Sequence, residues 1–271
     1  MGKFDGVLLV SDYDDTLYSG SFSVSEKNRV AIRYFIANGG HFTVATGRAH
    51  TTFAPQVVKE QIPMNAPAIL SNGSAIYDFS AHKMIYQTFL CPETMMRLEL
   101  LVRDIPQVAF EAYHGEDIYI YNPNEVTRAH LERVGVGGTE CPIGDMPVPW
   151  TKVILEQTHA VLEQTQDYIL SRWGSQYEAI FSNRHLLELT DKGSTKGDMV
   201  LWLADYLKIS REHIYCVGDS PNDISMLAVS AVPFACGNCT DEVANWGATL
   251  VNSCDESCIA QIIGILDQRY H

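Results

Sequence analysis

Two aspartates one residue apart are the first feature of the sequence that could carry chemistry. Asp12 and Asp14 follow directly after the apolar run Val7–Val10. In an extended segment alternate residues face the same side, so these two carboxylates can converge on one point. Such carboxylates repel each other unless a hard cation lies between them or one of them stays protonated. The segment therefore predicts a cation site or, taken alone, a solvated acidic turn.

A second candidate is the tripeptide Thr46-Gly47-Arg48, which follows the strand-like segment HFTVA. A hydroxyl group, a glycine that permits close backbone approach and the free amides of a helix N-terminus together suit a phosphate oxygen. Taken alone, the tripeptide fits a plain helix N-cap equally well.

A third candidate is Lys196-Gly197, at the start of a helical pattern. A cation at a helix N-terminus opposes the helix dipole, so an anion is expected to compensate it. One alternative is that Lys196 is an ordinary surface residue. The other is that Lys192, four residues earlier, is the lysine that contacts the anion.

The fourth candidate is the segment from Gly218 to Asp223, which follows the apolar residues IYCV. The glycine permits a tight turn, Asp219 and Asp223 add two carboxylates, and Asn222 offers an amide to a ligand. A turn with helix N-capping is the simpler alternative for this segment alone. Four carboxylates, a lysine and a threonine at one sheet edge would together suit Mg²⁺ and a phosphate group.

The elements around these segments predict an α/β fold. Val7–Val10 is continuously apolar, which is typical of a strand covered on both faces of a parallel sheet. Residues 23–26 (SVSE) predict a capping box that opens a helix, and residues 41–46 and 67–71 predict two further strands. This βαβαβ order predicts a doubly wound, Rossmann-like parallel sheet with binding groups at the carboxyl ends of its strands.

The rhythm of the elements changes between residues 82 and 187. Strands there follow one another in hairpins, which predicts an α+β module with an antiparallel sheet. We therefore expect one α/β domain over residues 1–81 and 188–271, with residues 82–187 inserted as a second domain.

Composition limits the classes of partner. The chain has 271 residues and a net charge of −14, which argues against nucleic acid or an anionic membrane as a global partner. No apolar run is long enough to span a membrane or to serve as a signal peptide. The seven cysteines include Cys236 and Cys239 in a CxxC spacing that has no second pair, so we expect reduced thiols and a cytoplasmic protein.

The ordered motifs DYDDTL, TGR, SNG, STKGD and GDSPND resemble those of the haloacid dehalogenase (HAD) superfamily. The chain is most similar to its Cof-type subfamily, subfamily IIB, which contains sugar-phosphate phosphatases. The resemblance spans essentially the whole chain and implies a Rossmann-like HAD core with an inserted α+β cap domain that sets specificity. One departure is Asp15, where many relatives have glycine.

The resemblance also implies roles for the candidate residues. Asp12 would be the nucleophile that forms an aspartyl-phosphate, and Asp14 the general acid and then the general base. Thr46 and Lys196 would hold phosphoryl oxygens. Substrate contacts are expected from these two residues and from Gly47, Arg48 and Asn222.

The implied cofactor is Mg²⁺. Its ligands would be Asp12, the backbone carbonyl of Asp14, Asp219 and Asp223, the last directly or through water. The expected function is Mg²⁺-dependent hydrolysis of a small phosphorylated metabolite, such as a sugar or polyol phosphate, by a monomer or weak homodimer. A phosphomutase on the same site and a non-enzymatic sugar-phosphate binding protein are the alternatives. A Rossmann dinucleotide enzyme is set aside because no GxGxxG follows the first strand.

Overall fold

The apolar run that follows Gly6 forms an inner strand of a five-stranded parallel sheet. The computed structural model describes residues 2–270. Along the sheet the strands lie in the order β14-β13-β12-β1-β2, and every neighbouring pair is parallel. The strands are β1 (Leu8–Ser11), β2 (His41–Val44), β12 (Ile214–Gly218), β13 (Val232–Ala235) and β14 (Thr249–Leu250).

The register of this sheet brings three strand ends together. Ser11 of β1 is the partner of Val44 in β2 and of Val217 in β12. The residues that come next in the chain therefore emerge side by side at one edge of the sheet. This is the edge at which ligands bind in open α/β sheets.

Helices cover the sheet and bury its apolar side chains. The helices of this part of the chain are α1 (Glu26–Ala37), α2 (His50–Lys59), α6 (Lys196–Leu207), α7 (Ile224–Leu227), α8 (Asp241–Trp246) and α9 (Cys258–Arg269). Leu9 and Val217 pack in one core with Phe35 of α1 and Ile262 of α9, and all four side chains are fully buried. Helix α7 packs on β12, and α6 contacts α7. None of the helices among the described residues is both long and apolar enough to cross a bilayer.

The start of α1 differs from the predicted capping box. The cap is Ser25, whose Oγ accepts a hydrogen bond from the backbone N–H of Asn28 at 3.1 Å. Ser23 lies before the helix and contacts Ser19 and Ser21 instead. The backbone of Ser25 is extended, and its hydroxyl accepts a hydrogen bond from the first turn of the helix. The helix therefore begins at the next residue, Glu26.

The third predicted strand also differs from its predicted place. β3 (Ala68–Leu70) pairs antiparallel with β4 (Ala75–Asp78), and β5 (Lys83–Gln87) completes a small three-stranded sheet. Its link to the parallel sheet is a single bridge between Ala45 and Ile69. The tight turn at Ser71–Gly73 folds the chain back onto β3, and this hairpin was not apparent from the sequence.

The chain divides into two compact units. One contains the residues up to Ala49, Phe53–Ile85 and the chain from Thr195 on; the other contains His50–Thr52 and Tyr86–Ser194. The boundaries expected from the sequence were 81/82 and 187/188. The difference at the first boundary follows from β5, which pairs with β4 in the first unit. At the second boundary β11, which ends at Asp191, pairs within the other unit.

The second unit, here called the inserted unit, contains a six-stranded sheet. Its strand order is β10-β11-β9-β6-β7-β8, antiparallel except for β7 and β8. The strands are β6 (Ala109–His114), β7 (Asp117–Tyr121), β8 (Thr139–Glu140), β9 (Lys152–Glu156), β10 (Tyr177–Asn183) and β11 (Leu186–Asp191), and the helices are α3 (Thr94–Asp104), α4 (Glu125–Val134) and α5 (His159–Trp173). Apolar residues on one face of the sheet pack with α3 and α5 in a separate core.

Candidate active site

The carboxyl ends of β1 and β12 place two aspartates next to each other. Asp12 is the first residue after β1, and its backbone N–H donates to the carbonyl of Val217 at 2.9 Å. Asp219 is the first residue after β12. Both side chains are buried, which is unusual for carboxylates that have no compensating charge.

Three carboxylates converge at this edge of the sheet. One oxygen each from Asp12, Asp219 and Asp223 lie within 4.8 Å of one another, and all three residues are buried. Asp14 is not part of this group. The expected metal ligand at Asp14 is its backbone carbonyl, and its side-chain carboxylate was not expected to bind the ion.

Lys196 is the cation that partly balances the three acids. Its Nζ lies 2.6 Å from Oδ1 of Asp12 and 2.6 Å from Oδ1 of Asp223, and it is 1% exposed. It is the first residue of α6, as predicted, and the hydroxyl of Thr195 caps that helix by accepting from the N–H of Asp198. Lys192, the competing candidate, forms an ion pair with Glu178 in the inserted unit.

Burial and mutual repulsion shift the pKa values of the acidic group. Burial and the charge of Asp223 raise the pKa of Asp12 well above its ordinary value, and the same two causes raise that of Asp219 to about 7. Burial opposes the charge on Lys196, but Asp12 and Asp223 outweigh it and raise its pKa. The carboxyl groups of Asp12 and Asp219 are therefore costly to ionise without further positive charge.

The donor set fits a hard divalent cation. When the three carboxylates are ionised, Lys196 offsets one of their charges and leaves the group with a net charge of −2. Carboxylate oxygens are the ligands that Mg²⁺ prefers, and a doubly charged ion would balance the group. The residues present are therefore compatible with the expected Mg²⁺.

Hydroxyl and amide donors hold two of the acids in place. Thr16 Oγ1 donates to Asp219 Oδ1 at 2.7 Å, and Ser220 Oγ donates to Oδ2 at 2.7 Å. The backbone N–H groups of Asp219 and Ser220 donate to Oδ2 of Asp223 at 2.9 and 3.0 Å. Asp223 thus accepts bonds on both oxygens, which fixes the turn that presents Asp219. No role in the site was expected from the sequence for Thr16 or Ser220, although both lie inside the quoted motifs.

Asp14 pairs with Arg48. The guanidinium Nε donates to Asp14 Oδ2 at 2.8 Å and its Nη2 donates to Oδ1 at 2.7 Å, a bidentate pair. The Arg48 side chain is 6% exposed, whereas that of Asp14 is 29% exposed. We expected Arg48 to contact substrate; here its guanidinium orients the carboxylate expected to be the acid–base group.

Thr46 and Gly47 form the loop after β2. The N–H of Thr46 donates to the carbonyl of Ile69 at 2.9 Å, and its Oγ1 accepts from the N–H of Arg48 at 3.1 Å. Thr46 is buried. Gly47 lies between Thr46 and Arg48, and the hydrogen bond between these two residues spans it. Helix α2 begins at His50 and has no side-chain cap, so Thr46 is not the N-cap that the tripeptide alone could have formed. The Thr46 hydroxyl is the group that a phosphate oxygen would use.

Asn222 forms a hydrogen bond with Asn72, a residue that was not among the site residues expected from the sequence. Its Nδ2 donates to Oδ1 of Asn72 at 3.0 Å, and both side chains are buried. Asn222 Oδ1 and Asn72 Nδ2 have no hydrogen-bond partner. Asn72 has φ 52°, in the left-handed region, as has Ser71. The available signal in the sequence was the Asn-Gly pair of the quoted SNG motif, which is typical of a turn with positive φ.

Gly73 is required by close packing against the start of α6. A Cβ at this position, where φ is +104°, would lie 2.4 Å from the carbonyl oxygen of Thr195. We expect Gly73→Ala to displace the helix end that carries Lys196, lowering the free energy of unfolding by at least about 1 kcal/mol together with activity. Urea denaturation and phosphatase assays measure both effects.

Gly264→Ala is the matched control for that variant. Gly264 lies in α9 with open space around its missing Cβ. Since alanine favours helix over glycine, this change should stabilise the protein by up to about 1 kcal/mol. Equal behaviour of the two variants would contradict the packing explanation.

The comparisons with known proteins agree with this architecture. A family model described as haloacid dehalogenase-like hydrolase matches residues 9–263. The 5-amino-6-(5-phospho-D-ribitylamino)uracil phosphatase YwtE of Bacillus subtilis is 27% identical, and the match covers 93% of this chain and 95% of that protein.

Two solved structures show the same fold. A haloacid dehalogenase-like hydrolase from Bacteroides thetaiotaomicron has a TM-score of 0.82 and 21% identity, covering 96% of this chain and 99% of that one. A HAD subclass IIB sugar phosphatase has a TM-score of 0.84 and 19% identity, covering 96% of this chain and 98% of that one. Both likenesses extend over the parallel sheet and the inserted unit.

Proposed function

The chain belongs to the haloacid dehalogenase-like hydrolases, and from this premise we propose that it is a Mg²⁺-dependent phosphatase of small phosphorylated metabolites. The observation that carries the proposal is the convergence of Asp12, Asp219, Asp223 and Lys196 at the carboxyl edge of the parallel sheet. Phosphoryl transfer depends mainly on positioning and on charge neutralisation, and this group of residues provides for both.

The first step assigns the nucleophile to Asp12. One carboxylate oxygen attacks phosphorus, a new O–P bond forms, and the bond from phosphorus to the leaving oxygen breaks. Asp14 donates the proton that the leaving oxygen needs. Lys196, which contacts Asp12, reduces the repulsion between the carboxylate and the phosphate dianion.

The second step hydrolyses the aspartyl-phosphate. Asp14 accepts a proton from a water molecule, whose oxygen attacks phosphorus, and the bond between Asp12 and phosphorus breaks to release phosphate. Both carboxylate oxygens of Asp14 accept hydrogen bonds from Arg48, which holds this side chain in one orientation. To serve as the acid in the first step, Asp14 must exchange this partner for the substrate.

The other residues position the phosphoryl group. Mg²⁺ bound by Asp12, the carbonyl of Asp14 and Asp219 would neutralise charge on the phosphoryl oxygens. The Thr46 hydroxyl and the Lys196 ammonium supply hydrogen bonds to the same oxygens. Asp223 supports both Lys196 and the turn at Asp219, so its role is to position them or to contact the ion through water.

The proposed substrate is a sugar or polyol phosphate. Support comes from YwtE of Bacillus subtilis, whose name specifies a substrate with a phosphorylated ribityl chain, a polyol phosphate. The identity of 27% does not carry that particular substrate over to this chain, and the proposal is therefore the wider class.

The test is phosphate release by the purified full-length chain. The panel contains p-nitrophenyl phosphate, sugar phosphates, ribitol 5-phosphate and nucleoside monophosphates, each with Mg²⁺ and with EDTA. We expect turnover that falls at least about 100-fold in EDTA, with polyol or sugar phosphates preferred. Isomerised sugar phosphate without phosphate release would indicate a phosphomutase. Tight binding of a sugar phosphate without any turnover would indicate a binding protein, and either result would overturn the proposal.

The pair of Asp14 and Arg48 gives a further prediction. In Arg48→Lys the charge is kept but the bidentate geometry is lost, so Asp14 is no longer held in one orientation. We expect kcat to fall about 10- to 100-fold with a smaller change in KM. Steady-state kinetics on the best substrate measure this split.

Arg33→Lys is the matched control, because Arg33 is half-exposed on α1 and pairs with Glu26 at the surface. It should leave kcat unchanged. A rise in the KM of Arg48→Lys with an unaltered kcat would instead assign the guanidinium to substrate binding.

A further inference from the structure

One face of the six-stranded sheet in the inserted unit carries buried charged residues. Glu111 in β6 is paired with Ile154 in β9, so Glu156, two residues further along β9, lies on the same face. Glu188 in β11 is also paired with Ile154 and shares that face. The opposite face carries the apolar residues that pack with α3 and α5. A charged face this deeply buried requires an explanation.

Three of these side chains form a compact group of metal-ligand type. Donor atoms of Glu111, His130 and Glu156 lie within 4.8 Å of one another. His130 Nδ1, which comes from α4, lies 3.0 Å from Glu111 Oε1 and 3.5 Å from Glu156 Oε1. Ligand atoms bound to one ion at about 2.0–2.2 Å are separated by similar distances.

Glu156 is the member whose bonding is incomplete. Its side chain is fully buried, yet neither carboxylate oxygen accepts a hydrogen bond. His130 Nδ1 lies at ion-pair distance, 3.5 Å from Oε1 of Glu156. A buried carboxylate in this condition is costly unless a cation or a proton satisfies it.

Polar side chains surround the group. Lys152 Nζ lies 3.0 Å from Glu188 Oε2, and the charge of Lys152 also acts on Glu111. Tyr113 Oη donates to Glu111 Oε2 at 2.8 Å, which leaves Glu111 Oε1 directed at His130. An outer hydrogen bond to a ligating carboxylate is typical of metal sites. The His130 side chain is 12% exposed, so solvent reaches the group from its side.

We propose that Glu111, His130 and Glu156 bind a divalent first-row transition-metal cation such as Mn²⁺. One imidazole and two carboxylates suit such an ion better than they suit a soft ion that prefers thiolate ligands. The bound ion joins α4 to β6 and β9 and has a structural role. This site uses residues other than Asp12, Asp219 and Asp223, and it stands or falls independently of the proposed phosphatase activity.

The experiment counts bound Mn²⁺ on the full chain after removal of metals with EDTA. Electron paramagnetic resonance of free Mn²⁺ gives the stoichiometry. Since Mn²⁺ also suits the acidic group at the parallel sheet, we expect two equivalents on the wild type and one on Asp219→Asn. Glu156→Gln should also bind one, and the double variant none. Exposed Glu163 gives the control Glu163→Gln, which should bind two.

The outcomes separate the site from a metal-free ion network. No Mn²⁺ on Asp219→Asn, or two equivalents on Glu156→Gln, would overturn the proposal. If Glu156→Gln does not fold, His130→Gln, which alters the most exposed member, gives the same test. Tyr113→Phe removes the outer hydrogen bond and should weaken Mn²⁺ binding to the Asp219→Asn protein about 10-fold. An unchanged affinity in that variant would contradict the assignment of Glu111 as a ligand.

Discussion

Asp12→Asn is expected to abolish Mg²⁺-dependent hydrolysis of p-nitrophenyl phosphate. The amide oxygen of asparagine is a poor nucleophile, and no other carboxylate follows β1 in this position. Removal of a catalytic nucleophile typically lowers kcat by about 10⁴-fold or more. Continuous release of p-nitrophenol by the purified variant, compared with the wild type at equal concentration, measures the loss.

The fold is expected to survive this change because asparagine has the same shape and can still accept a hydrogen bond from Lys196. Asp205→Asn is the matched control, since Asp205 is exposed in the last turn of α6. Its activity should equal that of the wild type. Turnover that persists in Asp12→Asn at the wild-type rate would exclude Asp12 as the nucleophile and refute the mechanism.

Lys196→Met is expected to lower both stability and activity. The lysine is fully buried between Asp12 and Asp223, and removing it leaves two buried carboxylates without their cation. Breaking a buried ion pair in this way costs about 3–5 kcal/mol. Urea denaturation in EDTA measures this loss, and the lost phosphoryl contact should lower kcat by about 10²- to 10³-fold.

The pH dependence distinguishes an electrostatic cause from a loss of packing. Burial and Asp223 already raise the pKa of Asp12 above its ordinary value. A carboxyl group whose pKa is higher in the folded state than in the unfolded state destabilises the fold as pH rises through that interval. The deficit of Lys196→Met should therefore be smaller at pH 5 than at pH 8. A deficit that does not vary with pH would contradict this explanation.

Lys192→Met is the control for the lysine prediction. Lys192 belongs to the same motif region, but it is half-exposed and pairs with Glu178. Loss of such a surface pair should change stability by no more than about 1 kcal/mol and leave kcat unaltered. A comparable loss of activity in Lys192→Met and Lys196→Met would contradict the prediction that only Lys196 contributes to catalysis.

Local patterns in the sequence were sufficient for most elements. The apolar run before Asp12, the segment IYCVG and the amphipathic segment from Lys196 became β1, β12 and α6. These elements depend on short-range periodicity and on residues at the helix ends, which are visible without knowledge of the fold. The strand predicted over residues 67–71 is present as β3, but its antiparallel partner β4 was missed, because that pairing is set by the turn at Ser71–Gly73.

Partners distant in sequence were decided by the tertiary structure. The sequence left Lys192 and Lys196 as alternatives, and the packing of α6 chose between them. The sequence predicted that Arg48 contacts substrate but gave no sign of its bidentate pair with Asp14, 34 positions away. The contact between Asn72 and Asn222 spans 150 positions, and no local pattern encodes it.

The sequence by itself determined the family, the α/β order and the aspartates that follow the strand ends, because each depends on adjacent residues. Only the tertiary structure decided which charges neutralise one another. Glu111 and Glu156 lie in different strands, and His130 reaches them from a helix. Their proximity follows from the pairing of β6 with β9, and such pairing is set by the packing of the whole sheet.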